Sequence, residues 1–207
     1  MTPSSQHLDL TLVAALARQG ARQAVRDEMD ARDRYIPSEV GEDWLHIGVV
    51  QHLRRHLRTP GAPRFRVHDD YQDCEIGNLA CDYPHLIDVV VLYPASGAPG
   101  DHAPAVGVIE IRKDFAELTD DAARLGRVTS GPPDEPPLQW VLQLLLVDGA
   151  SPEQVLARAG EARSIAARYG LLPLNDCEPE RAAPPPEAAP SGERWFDVAC
   201  YGKTVAA

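Results

Sequence analysis

The chain has 207 residues, 44% hydrophobic and 25% charged, enough for one well-buried domain and short for two. Its formal net charge of -11 excludes a protein that coats nucleic acid by charge alone, because phosphate binding is driven by Lys and Arg. No apolar run is long enough to cross a bilayer and the N-terminus lacks a signal-peptide pattern, so the expected compartment is the cytoplasm, with no membrane partner.

Residues 7–34 read as a helix, with Leu8, Leu12, Leu16 and Ala24 spaced for one face and a charged, exposed second half from Arg26 to Arg34. Residues 1–36 are therefore expected as an N-terminal helical extension. Ser38, a good N-cap, precedes a second helix from Glu39 to Leu57, with Val40, Trp44, Ile47 and Leu53 on its stripe. Pro60 and Gly61 end it. Strands follow at Arg64 to Tyr71, at 85–93 and at 105–112, the last two joined by a Gly/Pro-rich connection. Phe115 to Val128 reads as a helix with Leu118, Ala122 and Leu125 inward. Leu138 to Val147 is a strongly apolar strand, and Ser151 caps a helix running to Tyr169. Pro179 to Pro190 has the composition of a tether, and Trp195 to Tyr201 that of a closing strand. The expected division is a core at 37–175, a tether at 176–193 and a C-terminal strand at 194–207 packing on the core. Meandering strands followed by a helical crossover predict one α/β domain, a mixed central sheet with helices on both faces.

Two of these strands carry carboxylates where strands meant only for packing would not. Asp88 interrupts the apolar run Leu86 to Leu92, and Glu110 lies within Ala105 to Ile111. Side chains alternate along a strand, so Glu110 and Arg112 share one face. If the two strands pair, Asp88 comes beside Glu110. Two carboxylates and a cation at one sheet edge make a site suited to Mg²⁺ or Mn²⁺ and to phosphodiester chemistry, with the carbonyl of Ile111 as a third oxygen.

The run from Pro84 to Asp88, followed by Glu110-Ile111-Arg112, resembles the PD-(D/E)XK nuclease superfamily, whose fold is restriction-endonuclease-like. The order of elements over about residues 35–170 resembles that family too. The resemblance implies that Asp88 and Glu110 bind metal, and that Arg112 occupies the position of the signature lysine. It also implies an acidic residue from the preceding helix, with Glu39 and Glu42 favoured. Arginine keeps the charge but cannot deprotonate, so it stabilises a phosphate without serving as a base. Pro84 lies four residues ahead of Asp88 instead of next to it.

Lys113 and Gln143 are accessory candidates: Lys113 follows Arg112, and Gln143 is the lone polar residue between Trp140 and Val147. Arg54, Arg55, Arg58, Arg64 and Arg66 form a basic block, read either as a guide for nucleic acid or as a solvated helix end. His52 and His56 share a helical face, but the neighbouring arginines repel a cation. Cys74 and Cys81 with His68 and His85 match none of the usual zinc spacings. The four cysteines, Cys177 and Cys200 included, show no CxxC pairing, and reduced thiols are expected. Two functions follow from the resemblance. One is a metal-dependent nuclease acting on nucleic acid, DNA before RNA, in DNA processing or defence. The other is a catalytically degenerate nuclease-like fold serving as an accessory subunit. The expected partners are nucleic acid and either a second copy of the chain or another protein.

Overall fold

Small residues decide how the N-terminal helices meet. In the computed structural model, which describes residues 7–32, 37–57, 65–72, 79–80, 86–94, 104–113, 115, 117–131, 135–182 and 193–205, helix α1 spans Leu10–Arg32. It buries Val13, Ala17, Ala21 and Val25, while Leu12 of the expected face is 50% exposed. Helix α2 (Glu42–His56) crosses it at a glycine pair. A Cβ on Gly20 would lie 2.7 Å from the carbonyl oxygen of Gly48, and one on Gly48 2.5 Å from Cβ of Ala24. Larger side chains at this crossing would push the helices apart, so the leucines turn away from it.

Helix α2 starts at Glu42, later than expected, after a short 3-10 turn at Pro37–Glu39. It buries Leu45, Val49, Val50 and Leu53, and leaves Trp44 and Ile47 largely exposed, so the expected stripe is rotated. Helix α1, expected as an extension, shares the buried cluster of α2 and the sheet.

The strands are β1 (Arg66–Gln72), β2 (Leu79–Ala80), β3 (Leu86–Leu92), β4 (Ala105–Arg112), β5 (Thr129–Ser130), β6 (Trp140–Gly149), β7 (Leu172–Pro173), β8 (Glu180–Ala182) and β9 (Arg194–Thr204). Helix α3 (Leu118–Arg127) lies between β4 and β5, and α4 (Pro152–Arg168) between β6 and β7. The main sheet runs β1-β3-β4-β6-β9-β7, with β8 also on β9, and β2 pairs with β5 apart from it. Only the β4–β6 pairing is parallel among these ladders. The expected mixed sheet is thus observed.

One face of the sheet carries α1 and α2 over Val89, Ile109, Leu142 and Val198; the other carries α3 and α4 over Val90, Val108, Leu145 and Ala199. Strand β6 is buried along its whole length, as a strand covered on both faces must be. Gly107 is required where β4 passes Trp140: a Cβ there would lie 2.2 Å from the indole ring. The Ser151 hydroxyl caps α4 by accepting from the Gln154 amide at 3.3 Å.

The C-terminal third departs most from expectation. Strand β9 lies inside the sheet, with β6 on one side and β7 and β8 on the other. The start of the expected tether, Glu180–Ala182, is strand β8; residues 183–192 lie outside the described residues. Phe196, Val198 and Cys200 are buried. Deleting residues 194–207 is expected to abolish cooperative thermal unfolding, because it strips β6 of its long partner and opens the core. A truncated protein with the melting temperature of the full chain would contradict this placement.

Candidate functional site

Pairing of Val89 with Ile109 and of Val90 with Val108 sets Asp88 across from Glu110. The backbone ladder stops there. The amide of Ile111 donates at 2.7 Å to Oδ2 of Asp88, so a side chain takes over from the strand. Asp88 therefore caps the end of the β3–β4 pairing as well as standing beside Glu110. Glu110 is fully buried and Asp88 nearly so.

Arg112, on the same face of β4 as Glu110, fills the space between them. Its Nη1 donates to Oδ2 of Asp88 at 2.9 Å, to the carbonyl of Ile111 at 2.8 Å and to Oε1 of Glu42 at 3.3 Å. Its Nη2 lies 3.5 Å from Oε2 of Glu110, and its Nε lies 2.5 Å from Oδ2 of Asp121 and 3.1 Å from Oε2 of Glu117. Arg124 pairs with the other oxygen of Asp121. His46, one turn after Glu42, holds Nε2 3.7 Å from Oδ2 of Asp88. Burial opposes the charge on Arg112, but Asp88, Glu110, Glu42 and Glu117 outweigh it and hold the guanidinium pKa above its ordinary value. Burial pushes the Glu42 carboxyl above its ordinary range, Arg112 pulls it back, and Asp88 adds to the rise. Glu117 is two-thirds exposed, so its pair with Arg112 is screened by water.

The structure thus brings together Asp88, Glu110, Arg112, Ile111 and Glu42 of the expected residues. Glu39 is exposed in the turn ahead of α2. Gln143 pairs in register with Glu110, and its Nε2 lies 3.5 Å from the carbonyl of Leu118. Its Oε1 is buried without a hydrogen bond among the described residues. Lys113 faces a different groove, as its strand position predicts. Sequence reasoning missed His46, Glu117, Asp121 and Arg124. The i, i+4 spacing of Glu42 and His46 was a readable signal for one of them, and Asp121 sits on the face of α3 expected to turn inward.

The described members of the basic block, Arg54, Arg55 and Arg66, do not join this site. Arg54 ties α2 to the sheet, donating to the carbonyl of Val67 at 2.9 Å and to Asp69 at 3.4 Å. It stands roughly 18 Å along α2 from Glu42. Arg55 is exposed and lines a groove between α1 and α2. Arg66 is exposed and pairs with Leu92, at the opposite end of β3 from Asp88. Arg58, Arg64, Cys74, Cys81, Pro84 and His85 lie outside the described residues. Cys177 and Cys200 are free thiols that burial pushes up to about 12.

The oxygen donors around Nη1 of Arg112 are of the kind a hard divalent cation takes, and the orphaned Oε1 of Gln143 adds a buried acceptor to that edge. They fit Mg²⁺ or Mn²⁺ by chemistry. They converge, however, on a guanidinium nitrogen, and among the described residues no group of three or more His, Cys, Asp or Glu forms a metal cage. The Ile111 carbonyl, expected as a metal ligand, accepts from Arg112 instead. No helix among the described residues is long and apolar enough to cross a membrane. A scan against protein-family models gives no match, and searches of curated proteins and of solved structures give none either.

Two substitutions probe this electrostatics. Arg112→Met leaves buried carboxylates uncompensated and is expected to cost about 3–5 kcal/mol in urea unfolding at pH 7; a loss below about 1 kcal/mol would show that the carboxylates do not depend on it. Glu42 has a folded-state pKa above its unfolded value, so folding takes up a proton there and gains stability as the pH falls through that raised pKa. Glu42→Gln lacks this uptake. It should match or exceed wild type at neutral pH and lose its advantage on acidification, a trend that urea titrations across pH would reveal. A difference that does not vary with pH would refute it.

Proposed function

We propose that the chain is a metal-dependent phosphodiesterase of the PD-(D/E)XK, restriction-endonuclease-like kind, acting on nucleic acid. The observation that carries this reading is the meeting of Asp88, Glu110 and Glu42 around Arg112 at the carboxyl end of β4. The element order supports it as well: a helix, an antiparallel meander bearing both carboxylates, then a helical crossover to a parallel strand. In this reading Asp88, Glu110 and Glu42 hold the cation. When bound, Mg²⁺ or Mn²⁺ polarises the phosphate and lowers the pKa of a coordinated water. Arg112, which cannot act as a base, neutralises charge on the phosphate once it leaves the carboxylates. His46, whose Nε2 lies 3.7 Å from Oδ2 of Asp88, takes the proton-carrying role that arginine cannot fill. DNA is the favoured substrate over RNA by resemblance alone.

A second reading has its own observation. Nη1 of Arg112 sits where the oxygens converge, so the guanidinium itself does the neutralising a metal would do. A fold so sealed would serve as a catalytically degenerate accessory subunit, binding a protein or a second copy of itself. One pair of measurements separates the two. In the phosphodiesterase reading, Mn²⁺ at about a hundred times its Kd raises the melting temperature by roughly 5–10 °C, and Glu110→Gln abolishes that rise. Cleavage of mixed DNA and RNA substrates with Mg²⁺ or Mn²⁺ falls at least about 100-fold in Asp88→Asn and in Glu110→Gln. In the accessory reading, wild type shows neither metal response nor cleavage, and Glu110→Gln lowers stability by leaving part of the guanidinium charge uncompensated.

A further inference from the structure

A cationic groove adjoins the carboxylate cluster on its other flank. Its volume is about 620 Å³, and Lys113, Phe115, Asp148, Gln154, Arg158 and Arg194 are among its lining residues. Lys113 directly follows Arg112, so one peptide unit separates the groove from the cluster. The topology explains why the cations gather here. Strands β4 and β6 are parallel and both end at this edge, and antiparallel β9 begins at it. Lys113 follows β4 and Arg194 opens β9, two ladder spacings across the sheet and four residues apart along the strands by register, roughly 16 Å in all. At one charge per roughly 3.4 Å of a nucleic-acid strand, that span corresponds to about four or five consecutive phosphates.

The charges of the groove are not equivalent. Arg158 is held by Asp148, whose Oδ1 and carbonyl accept from Nη1 at 2.7 and 2.9 Å. Among the described residues neither Lys113 nor Arg194 makes an ion pair, so their charges are not neutralised as that of Arg158 is. The nearby start of α4 adds little pull on an anion, because Ser151 and the Oε1 of Gln154 already take the amides of Gln154 and Ala150. The attraction resides in the lysine and the arginine.

We infer that this groove seats the phosphodiester backbone of the strand presented to the carboxylate cluster, with Lys113 and Arg194 contacting its phosphates. The choice of ligand rests on the phosphodiesterase reading; the choice of residues does not. The groove replaces the basic block as the track for nucleic acid; of its described arginines, Arg54 lies at the far end of α2 and Arg66 pairs with the far end of β3.

The test is fluorescence anisotropy of a labelled oligodeoxynucleotide with the full chain in EDTA, across a salt series, so that binding is read without cleavage. Lys113→Ala combined with Arg194→Ala is expected to weaken binding at least about tenfold and to reduce the slope of log K against log salt by about two, one unit per lost phosphate contact. Arg55→Ala combined with Arg66→Ala should leave both unchanged. Melting temperatures establish that each variant folds, and Lys113→Gln alone, a milder change, should lower the slope by about one. Wild type that binds no oligonucleotide, or a groove variant that binds like wild type, overturns the proposal. So does equal binding of poly-glutamate, which would make the groove a site for acidic peptide. If the groove variants lose binding while wild type cleaves nothing with Mn²⁺, the groove stands and the phosphodiesterase reading falls.

Discussion

The end of the sheet at β4 depends on one buried cation. Arg112 is exposed by only 12%, yet it faces carboxylates from α2, β3, β4 and α3. Buried carboxylates of this density repel one another unless something positive stands between them. The guanidinium suits this position because its donors fan out in a plane and reach several acceptors at once. The helix ends reinforce the arrangement. Glu42 and Asp43 open α2, Asp120 and Asp121 open α3, and acidic side chains are favoured at those positive helix termini. Two helices on opposite faces of the sheet thus point their N-termini at one cation, and helix polarity favours the convergence of acids there.

A second set of charges joins the two ends of the chain. Arg18 donates through Nη2 to both oxygens of the fully buried Asp197 at 2.9 Å and through Nε to the carbonyl of Val198 at 3.1 Å. Arg22 and Arg26 both grip Glu180 in β8. Asp197 also accepts from the backbone amides of Glu178 and Val198. These bonds lock α1 over β8 and β9. Losing Arg18 would strand much of the buried charge of Asp197, which is costlier than losing an exposed pair. They explain why α1 belongs to the core, and why its charged second half, expected to be solvated at Arg26, is partly tied down.

The two networks divide the labour of the fold. The α1 clamp sits over β8 and β9 and closes the chain upon itself; the Arg112 cluster sits where β3 and β4 end. Between them lies the apolar middle of the sheet, where β6 is covered on both faces. An end of a sheet is where the backbone ladder runs out, so side chains there must satisfy backbone groups or ligands. Asp88 does the former through the Ile111 amide. The freedom to do the latter is what the proposed chemistry would use.

Much of this was legible in the residues alone. The apolar runs of β3, β4 and β6 define strands by length and β-branching, and Ser151-Pro152 marks the start of α4, because these signals act over a few residues. The oddity of Asp88 and Glu110 inside apolar strands also belongs to the local pattern. The rotation of α1 and α2 was not legible: apolar spacing fits more than one face, and only the close approach of Gly20 and Gly48 selects which turns inward. Likewise β8 read as tether, because a three-residue strand draws its stability from β9 and from Arg22 and Arg26, all distant in sequence. The basic block looked like a rim because its arginines are close in sequence, whereas Arg54 and Arg55 diverge around a helix. Asp121, Arg124 and His46 joined the cluster only when α2 and α3 docked on opposite faces of one strand end. Sequence determined which residues pair locally and which carry charge; tertiary structure alone decided which charges share a low-dielectric space, because that depends on contacts between elements far apart in the chain.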